Sequence, residues 1–204
     1  MIDAALLPLQ RRVLTPPGQW LASRGVHADH ITIAGFFIGV LAVPALAFGA
    51  YGVALALLAL NRLADGLDGS VARLSGPTDR GAFLDVALDF VFYALFPLGF
   101  ALAAPAENAL PAAVLIAAFV GTGSSFLAFA TIAAKRGDKA AAFPTKGIYY
   151  LGGLTEGFET IAVLSAMCLF PQAFPLLAYG YAAACALTTV LRWRQGWLAF
   201  SERS

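Results

Sequence analysis

Four aspartates carry the strongest chemical signal in the chain. Asp65 and Asp68 are spaced i, i+3, and Asp85 and Asp89 are spaced i, i+4, all within strongly apolar sequence. Either spacing puts a pair on one face of a helix. Between the pairs, Ser75-Gly76-Pro77-Thr78-Asp79 reads as a turn. The two helices then fold back as neighbours and the four carboxylates converge. Arg62, Arg73 and Arg80 lie nearby but do not obviously satisfy all four. Divalent cations do, and an all-oxygen site suits Mg2+, Mn2+ or Ca2+ rather than zinc. In enzymes such ions most often hold phosphate oxygens. Two other readings compete with a metal site. The aspartates could pair with arginines and pin a bundle, or they could line a proton or ion pathway. Their clustering in one short segment weighs against a pathway.

The elements that position these residues are membrane helices. Of 204 residues, 60% are hydrophobic and only 12% are charged, and the mean hydropathy is +0.77. A soluble domain has about 25% charged residues. The apolar residues fall into blocks near 31–50, 51–72, 83–104, 109–134, 149–170 and 173–193. Each approaches the roughly 20 residues that a helix needs to cross a bilayer. Helices satisfy their own backbone in lipid, and the alternation of a β-barrel strand is scarce. The predicted fold is all-α, a bundle of six transmembrane helices over residues 31–204. Residues 1–30 form a separate N-terminal segment with no continuous apolar core, so no cleavable signal peptide is expected there. Ile2 to Val13 is weakly amphipathic, and is expected to be an interfacial helix or an ordinary tail. Cys168 and Cys185 both fall in predicted spans and behave as small buried hydrophobes.

The basic residues set an orientation. Arg11, Arg12 and Arg24 precede the first span, and Arg62, Arg73 and Arg80 belong to the second span and its following loop. Lys135, Arg136, Lys139 and Lys146 lie between spans four and five, and Arg192, Arg194 and Arg203 at the C-terminal end. The opposite connections carry Glu107 but no Lys or Arg. This is a positive-inside pattern with both termini cytoplasmic. The net charge of +1 and the absence of a basic stripe with interleaved aromatics argue against a nucleic-acid partner.

The segment Asp65-x2-Asp68-Gly69-x2-Ala72-Arg73-x7-Gly81-x3-Asp85-x3-Asp89 resembles the defining pattern of the CDP-alcohol phosphatidyltransferases, with no departure. Tyr149-Tyr150-Leu151-Gly152-Gly153-Leu154-Thr155-Glu156-Gly157 adds likeness to a bacterial inner-membrane branch. The resemblance implies transfer of a phosphatidyl group from a CDP-linked lipid donor to a small alcohol, with CMP released. It implies Mg2+ or Mn2+, two ions, held by Asp65, Asp68, Asp85 and Asp89. It further implies a donor site at Asp68, Gly69, Ala72, Arg73 and Gly81, and a homodimer among membrane lipids. Gly69 and Ala72 are small enough for a nucleotide to approach the helix, though helix packing explains them equally. The family often has Pro-Asn-x2-Thr where this chain has Ala28-Asp29-His30-Ile31-Thr32. Thr32 remains a donor contact and Asp29 a helix N-cap. His27 and His30 read as interfacial, and Gly35 and Gly39 as packing.

Asp89 is expected to be the general base that takes the acceptor's hydroxyl proton. Lys135, Arg136, Lys139 and Lys146 suit an acceptor phosphate, as on glycerol 3-phosphate or another phosphorylated polyol. Topology and attraction to anionic headgroups explain the same four cations. Glu156 and Glu159, spaced i, i+3 inside span five, are functional suspects as intramembrane acids. They suit hydroxyls of a polyol, the amine of an acceptor such as serine, or a structural pairing with Arg62 or Arg73. Outside enzymes, the alternative is a lipid transporter built on the same fold.

Overall fold

The computed structural model describes residues 2–136 and 154–201, with side chains from Gln10 onward. Among these residues the chain is all helical. Helix α1 is Ile2–Ser23, α2 Ala28–Val40, α3 Ala42–Ala47 and α4 Tyr51–Ser75. Then follow α5 Asp79–Ala103, α6 Pro105–Arg136, α7 Gly157–Leu169 and α8 Phe174–Phe200. Among the described residues, four stretches are long and apolar enough to cross a membrane: Ala28–Ala47, Asp79–Ala103, Pro105–Arg136 and Pro171–Phe200. The expected six include two more. Helix α4 has 25 residues, about 37 Å of helix, but carries Arg62, Asp65, Asp68 and Arg73. Helix α7 has 13 residues, and most of the sequence expected to begin that span lies outside the described residues.

The first expected span is two helices rather than one. Pro44 has no N–H to donate to the carbonyl of residue 40, and the chain breaks at Leu41 before α3 resumes. The expected N-cap also shifts. His27 occupies that position and Asp29 sits in the first turn of α2, where its carboxylate accepts from Arg80 Nε at 2.7 Å. That bond ties the start of α2 to the start of α5. The turn between α4 and α5 forms where the sequence places it. Gly76 closes α4 with φ 93°, a conformation that favours glycine. Thr78 caps α5, its hydroxyl accepting from the Gly81 N–H at 3.0 Å.

The helices close into a ring, with α2 against α4, α4 against α7, α7 against α8, α8 against α6, α6 against α5, and α5 back against α2 and α3. Its centre is filled by Leu58, Phe92, Phe96, Phe100, Leu115, Leu164, Met167 and Phe174, all buried. Phe100 and Phe174 stack with centroids 4.4 Å apart. In lipid the gain comes from close packing rather than from leaving water, so small residues matter at the seams. A Cβ on Gly35 of α2 would lie 2.6 Å from the Ala64 Cβ of α4. One on Gly39 would lie 2.8 Å from the Asn61 amide. Both glycines are packing residues, as expected. Helix α1 lies along α4, with Leu14 buried and the Ser70 hydroxyl donating to the Leu14 carbonyl at 3.2 Å.

Candidate active site

Helices α4 and α5 scarcely touch through their backbones, while α2 packs against both. The turn brings them together in sequence, and α2 holds them apart in space. The cleft left between them is lined by Thr32, Asn61, Arg62, Asp65, Asp68, Asp85 and Asp89, with Phe36 and Phe92 among its apolar walls. Helix α4 runs toward the turn and α5 away from it. The pairs are therefore layered: Asp68 and Asp85 lie nearer the turn, Asp65 and Asp89 one helical turn deeper.

Asp65, Asp68 and Asp85 each present an oxygen within 4.8 Å of the other two. Three carboxylates from two helices, this close, repel one another unless a cation lies among them. Their oxygens are the donor set of a hard divalent ion. Thr32 enters from α2 and donates its hydroxyl to Asp68 Oδ2 at 2.6 Å. It fixes that carboxylate, a more direct role than the sequence suggested.

Asp89 is engaged differently. Arg62 donates from Nη2 to Asp89 Oδ1 at 2.7 Å and from Nη1 to Oδ2 at 3.4 Å. The same Nη1 reaches the Tyr93 hydroxyl at 3.1 Å and lies 3.9 Å from Asp65. Arg62 Nε donates to Asn61 Oδ1 at 2.8 Å, and the Asn61 amide donates to the Gly35 carbonyl at 2.9 Å. The guanidinium also sits 5.3 Å from the Phe92 ring centroid and 5.5 Å from that of Tyr93. The sequence reading gave Asn61 and Tyr93 no role, and named Arg62 only among the arginines with which acidic side chains could pair. An arginine three residues before Asp65, inside an apolar run, was the available signal. Its partner, 27 positions away, could not be read from spacing.

The remaining donor-side positions lie at the mouth. Arg73 is exposed, and its Nη1 would lie 3.3 Å from a Cβ on Gly69, so the bare helix at Gly69 leaves room for that guanidinium. Ala72 is half-buried on the same helix. Gly81 opens α5, where a Cβ would meet Asp29 Oδ1 at 3.1 Å and Thr78 Oγ1 at 3.2 Å.

The candidate acceptor residues divide. Lys139 and Lys146 lie outside the described residues. Lys135 is exposed at the end of α6. Arg136 donates to the carbonyls of Ala199 at 3.0 Å and Phe200 at 2.8 Å, and so caps the C-terminus of α8. Glu156 is buried at the N-cap of α7. Glu159 carries a buried Oε2 with no hydrogen-bond partner among the described residues. Arg192, grouped by sequence with the C-terminal basic residues, is buried within α8 and donates to the Thr122 carbonyl at 3.0 Å.

The profile of the CDP-alcohol phosphatidyltransferase family matches residues 26–191. Inner membrane protein YnjF of Escherichia coli K12 is 50% identical over 202 residues, which is 99% of this chain and 98% of that protein. Archaetidylinositol phosphate synthase of Methanothermobacter thermautotrophicus is 40% identical over 83 residues, 40% of this chain and 41% of that one. Among solved structures, the Mycobacterium tuberculosis phosphatidylinositol phosphate synthase PgsA1 with CDP-DAG bound superposes with TM-score 0.69. That match is 23% identical and covers 95% of this chain and 99% of the other. The same synthase with manganese and citrate gives TM-score 0.70 at 23% identity, over 94% and 93% of the two chains. The signature segment, the helical ring and these matches agree: the chain belongs to the CDP-alcohol phosphatidyltransferase family.

Proposed function

We propose that this membrane enzyme moves a phosphatidyl group from CDP-diacylglycerol, or a closely related CDP-lipid, to a phosphorylated polyol, and that CMP leaves. The convergence of Asp65, Asp68 and Asp85 from two helices carries the proposal. The cluster would hold divalent ions, Mg2+ or Mn2+ and two in number, which would supply positive charge to offset that building on the departing phosphate. Asp65, Asp68 and Asp85 are their main ligands. Thr32 steadies Asp68. Gly69, Ala72 and Gly81 leave the floor at the mouth open to the nucleotide, and Arg73 offers its guanidinium to phosphate. Asp89, on the deeper layer, takes the proton from the acceptor's hydroxyl.

The partial match to a synthase named for archaetidylinositol phosphate supports a phosphorylated polyol. Lys135, Arg136, Lys139 and Lys146 are the candidate phosphate contacts, and Glu156 and Glu159 meet the polyol's hydroxyls. One observation favours a second reading. The buried Oε2 of Glu159, which has no hydrogen-bond partner among the described residues, suits the ammonium of an amino alcohol such as serine. A panel of acceptors offered to purified protein with labelled CDP-diacylglycerol and Mn2+ decides between them. CMP release should require one acceptor class, stop with EDTA and return with Mg2+ or Mn2+. Full turnover in metal-free buffer would overturn the mechanism.

The same reading places the protein in a bacterial inner membrane, with six crossings, both termini cytoplasmic, and two copies associated. Helix α1 supports an interfacial placement. Val13 and Trp20 are exposed on it, and the Arg24 guanidinium lies 4.8 Å over the Trp20 ring. An exposed tryptophan with a cation beside it suits the headgroup layer.

A further inference from the structure

We propose that Arg80 is a positioning residue for the aspartate cluster: by holding Asp29 it seats the first turn of α2 on α5, and so keeps the Thr32 hydroxyl on Asp68. The inference rests on the metal-site reading above and goes beyond it, because neither Arg80 nor Asp29 belongs to the cluster.

The start of α2 has no cap of its own. His27 occupies the N-cap and makes no side-chain hydrogen bond to the helix. The first turn is steered instead by what its side chains reach. Asp29 and Thr32 are three residues apart, so they share a face. Asp29 accepts on Oδ2 from Arg80 Nε at 2.7 Å, and Arg80 Nη2 lies against the same oxygen. Thr32 donates to Asp68 Oδ2 at 2.6 Å. The turn is thus tied to α5 by one side chain and to α4 by the other. The α5 end of this link is firm, because the Thr78 hydroxyl caps α5 on the Gly81 N–H. The Thr32 end is sensitive. Its hydroxyl has a second acceptor in the Ala28 carbonyl, 3.1 Å away on its own helix. A hydroxyl carries one proton, so a small shift of α2 moves that proton from Asp68 to Ala28. Asp68 then turns freely, and the cluster loses the outer bond that orients one of its three carboxylates. Arg80 and Asp29 act through Thr32 and touch no reacting atom.

Mn2+ affinity tests this without relying on turnover, and the sign of the effect is informative. Removing a cation near an acidic cluster tightens a bound cation on electrostatic grounds alone. The tether predicts the reverse. Electron paramagnetic resonance titration of purified protein would compare wild type, Arg80→Gln, Arg80→Lys, Thr32→Val and the double variant Arg80→Gln/Thr32→Val. The Arg80 side chain is 77% exposed, so its substitution leaves the packing intact. Thr32→Val should weaken Mn2+ about tenfold, the lower end for loss of an outer-shell hydrogen bond. Arg80→Gln should weaken it about threefold, in keeping with an exposed ion pair. In the Thr32→Val background the same change should cause no further weakening, because the bond through which Arg80 acts is already gone. Arg80→Lys should stay near wild type, since both arginine contacts converge on one oxygen that an ammonium also reaches. Tighter or unchanged binding by Arg80→Gln overturns the tether. So does equal weakening in both backgrounds, or an Arg80→Lys loss as large as that of Arg80→Gln. Wild type that binds no Mn2+ fails at the earlier step: it overturns the metal site itself, and the tether with it.

Discussion

Single side chains give the sharpest separation of roles. Asp89 and Asp68 have the same chemistry and both line the cleft, yet they sit in different company. Asp68 shares its cluster with Asp65 and Asp85, whereas Asp89 faces Arg62. Asp89→Asn keeps the shape and removes the basicity. Loss of a general base costs about 10²–10⁴-fold in rate. Single-turnover rates at fixed Mn2+ should fall by that order, with CDP-diacylglycerol affinity changed far less. Asp68→Asn should weaken Mn2+ and CDP-lipid binding together, because it alters the metal site. Near-normal turnover by Asp89→Asn would remove Asp89 as the base. A second residue-level expectation concerns Lys146. If it holds an acceptor phosphate, Lys146→Ala raises the acceptor's KM and spares kcat, the sign of lost uniform binding. An unchanged KM returns that lysine to a topological role.

At the scale of elements, the site depends on how closely α2 lies on α4. Gly39 is the contact that matters most for chemistry, because its neighbour is Asn61. A Cβ there would meet the Asn61 amide at 2.8 Å and the Phe92 ring at 2.9 Å. Those two residues support the Arg62 guanidinium from different sides. Gly39→Ala should therefore cost about 1–3 kcal/mol of stability, the usual range for overpacking, and lower turnover through a displaced arginine. Gly52→Ala is the control, since nothing lies within 4 Å of a Cβ at that position. Unfolding in a denaturing detergent should show a lower midpoint for the first and little change for the second. Equal behaviour would mean that the seam is slack. The sequence made the aspartate layer legible because i, i+3 and i, i+4 spacing is local. It also showed the turn, through Gly76, Pro77 and Thr78. It did not show that α2 wedges between α4 and α5, that Pro44 breaks the first span, or that Arg62 reaches Asp89. Each of those is a contact or a consequence of packing between residues distant in the chain, and periodicity carries no trace of it.

For the whole molecule, the ring of helices and the distribution of charge make one statement about orientation. The connections at Gly49–Ala50, at Ala104 and at Phe170–Ala173 lie on the side that the sequence leaves without Lys or Arg. The α4–α5 turn, the end of α6 and the end of α8 lie on the other, with Arg73, Arg80, Lys135, Arg136 and Arg194. Arg192 belongs to that side by sequence but turns inward to Thr122, so burial and topology have to be counted separately for each arginine. The aspartate cluster lies toward the α4–α5 turn, on the side that carries Arg73 and Arg80, and under the proposed orientation that is the side on which a soluble CMP product would leave. Single cysteines at positions 51, 108 and 172 should react with a membrane-impermeant maleimide applied from outside the inner membrane. Cysteines at positions 79 and 201 should react only after the membrane is opened. Cys168 and Cys185 are buried and should contribute little background. Modification at 79 from outside would invert the orientation and put CMP release on the wrong face. Modification of 51 and 108 but not 172 would instead mean that α7 and α8 do not cross as separate spans. The proposed count of six would then fall to four, while the aspartate cluster, which needs only α2, α4 and α5, would stand unchanged.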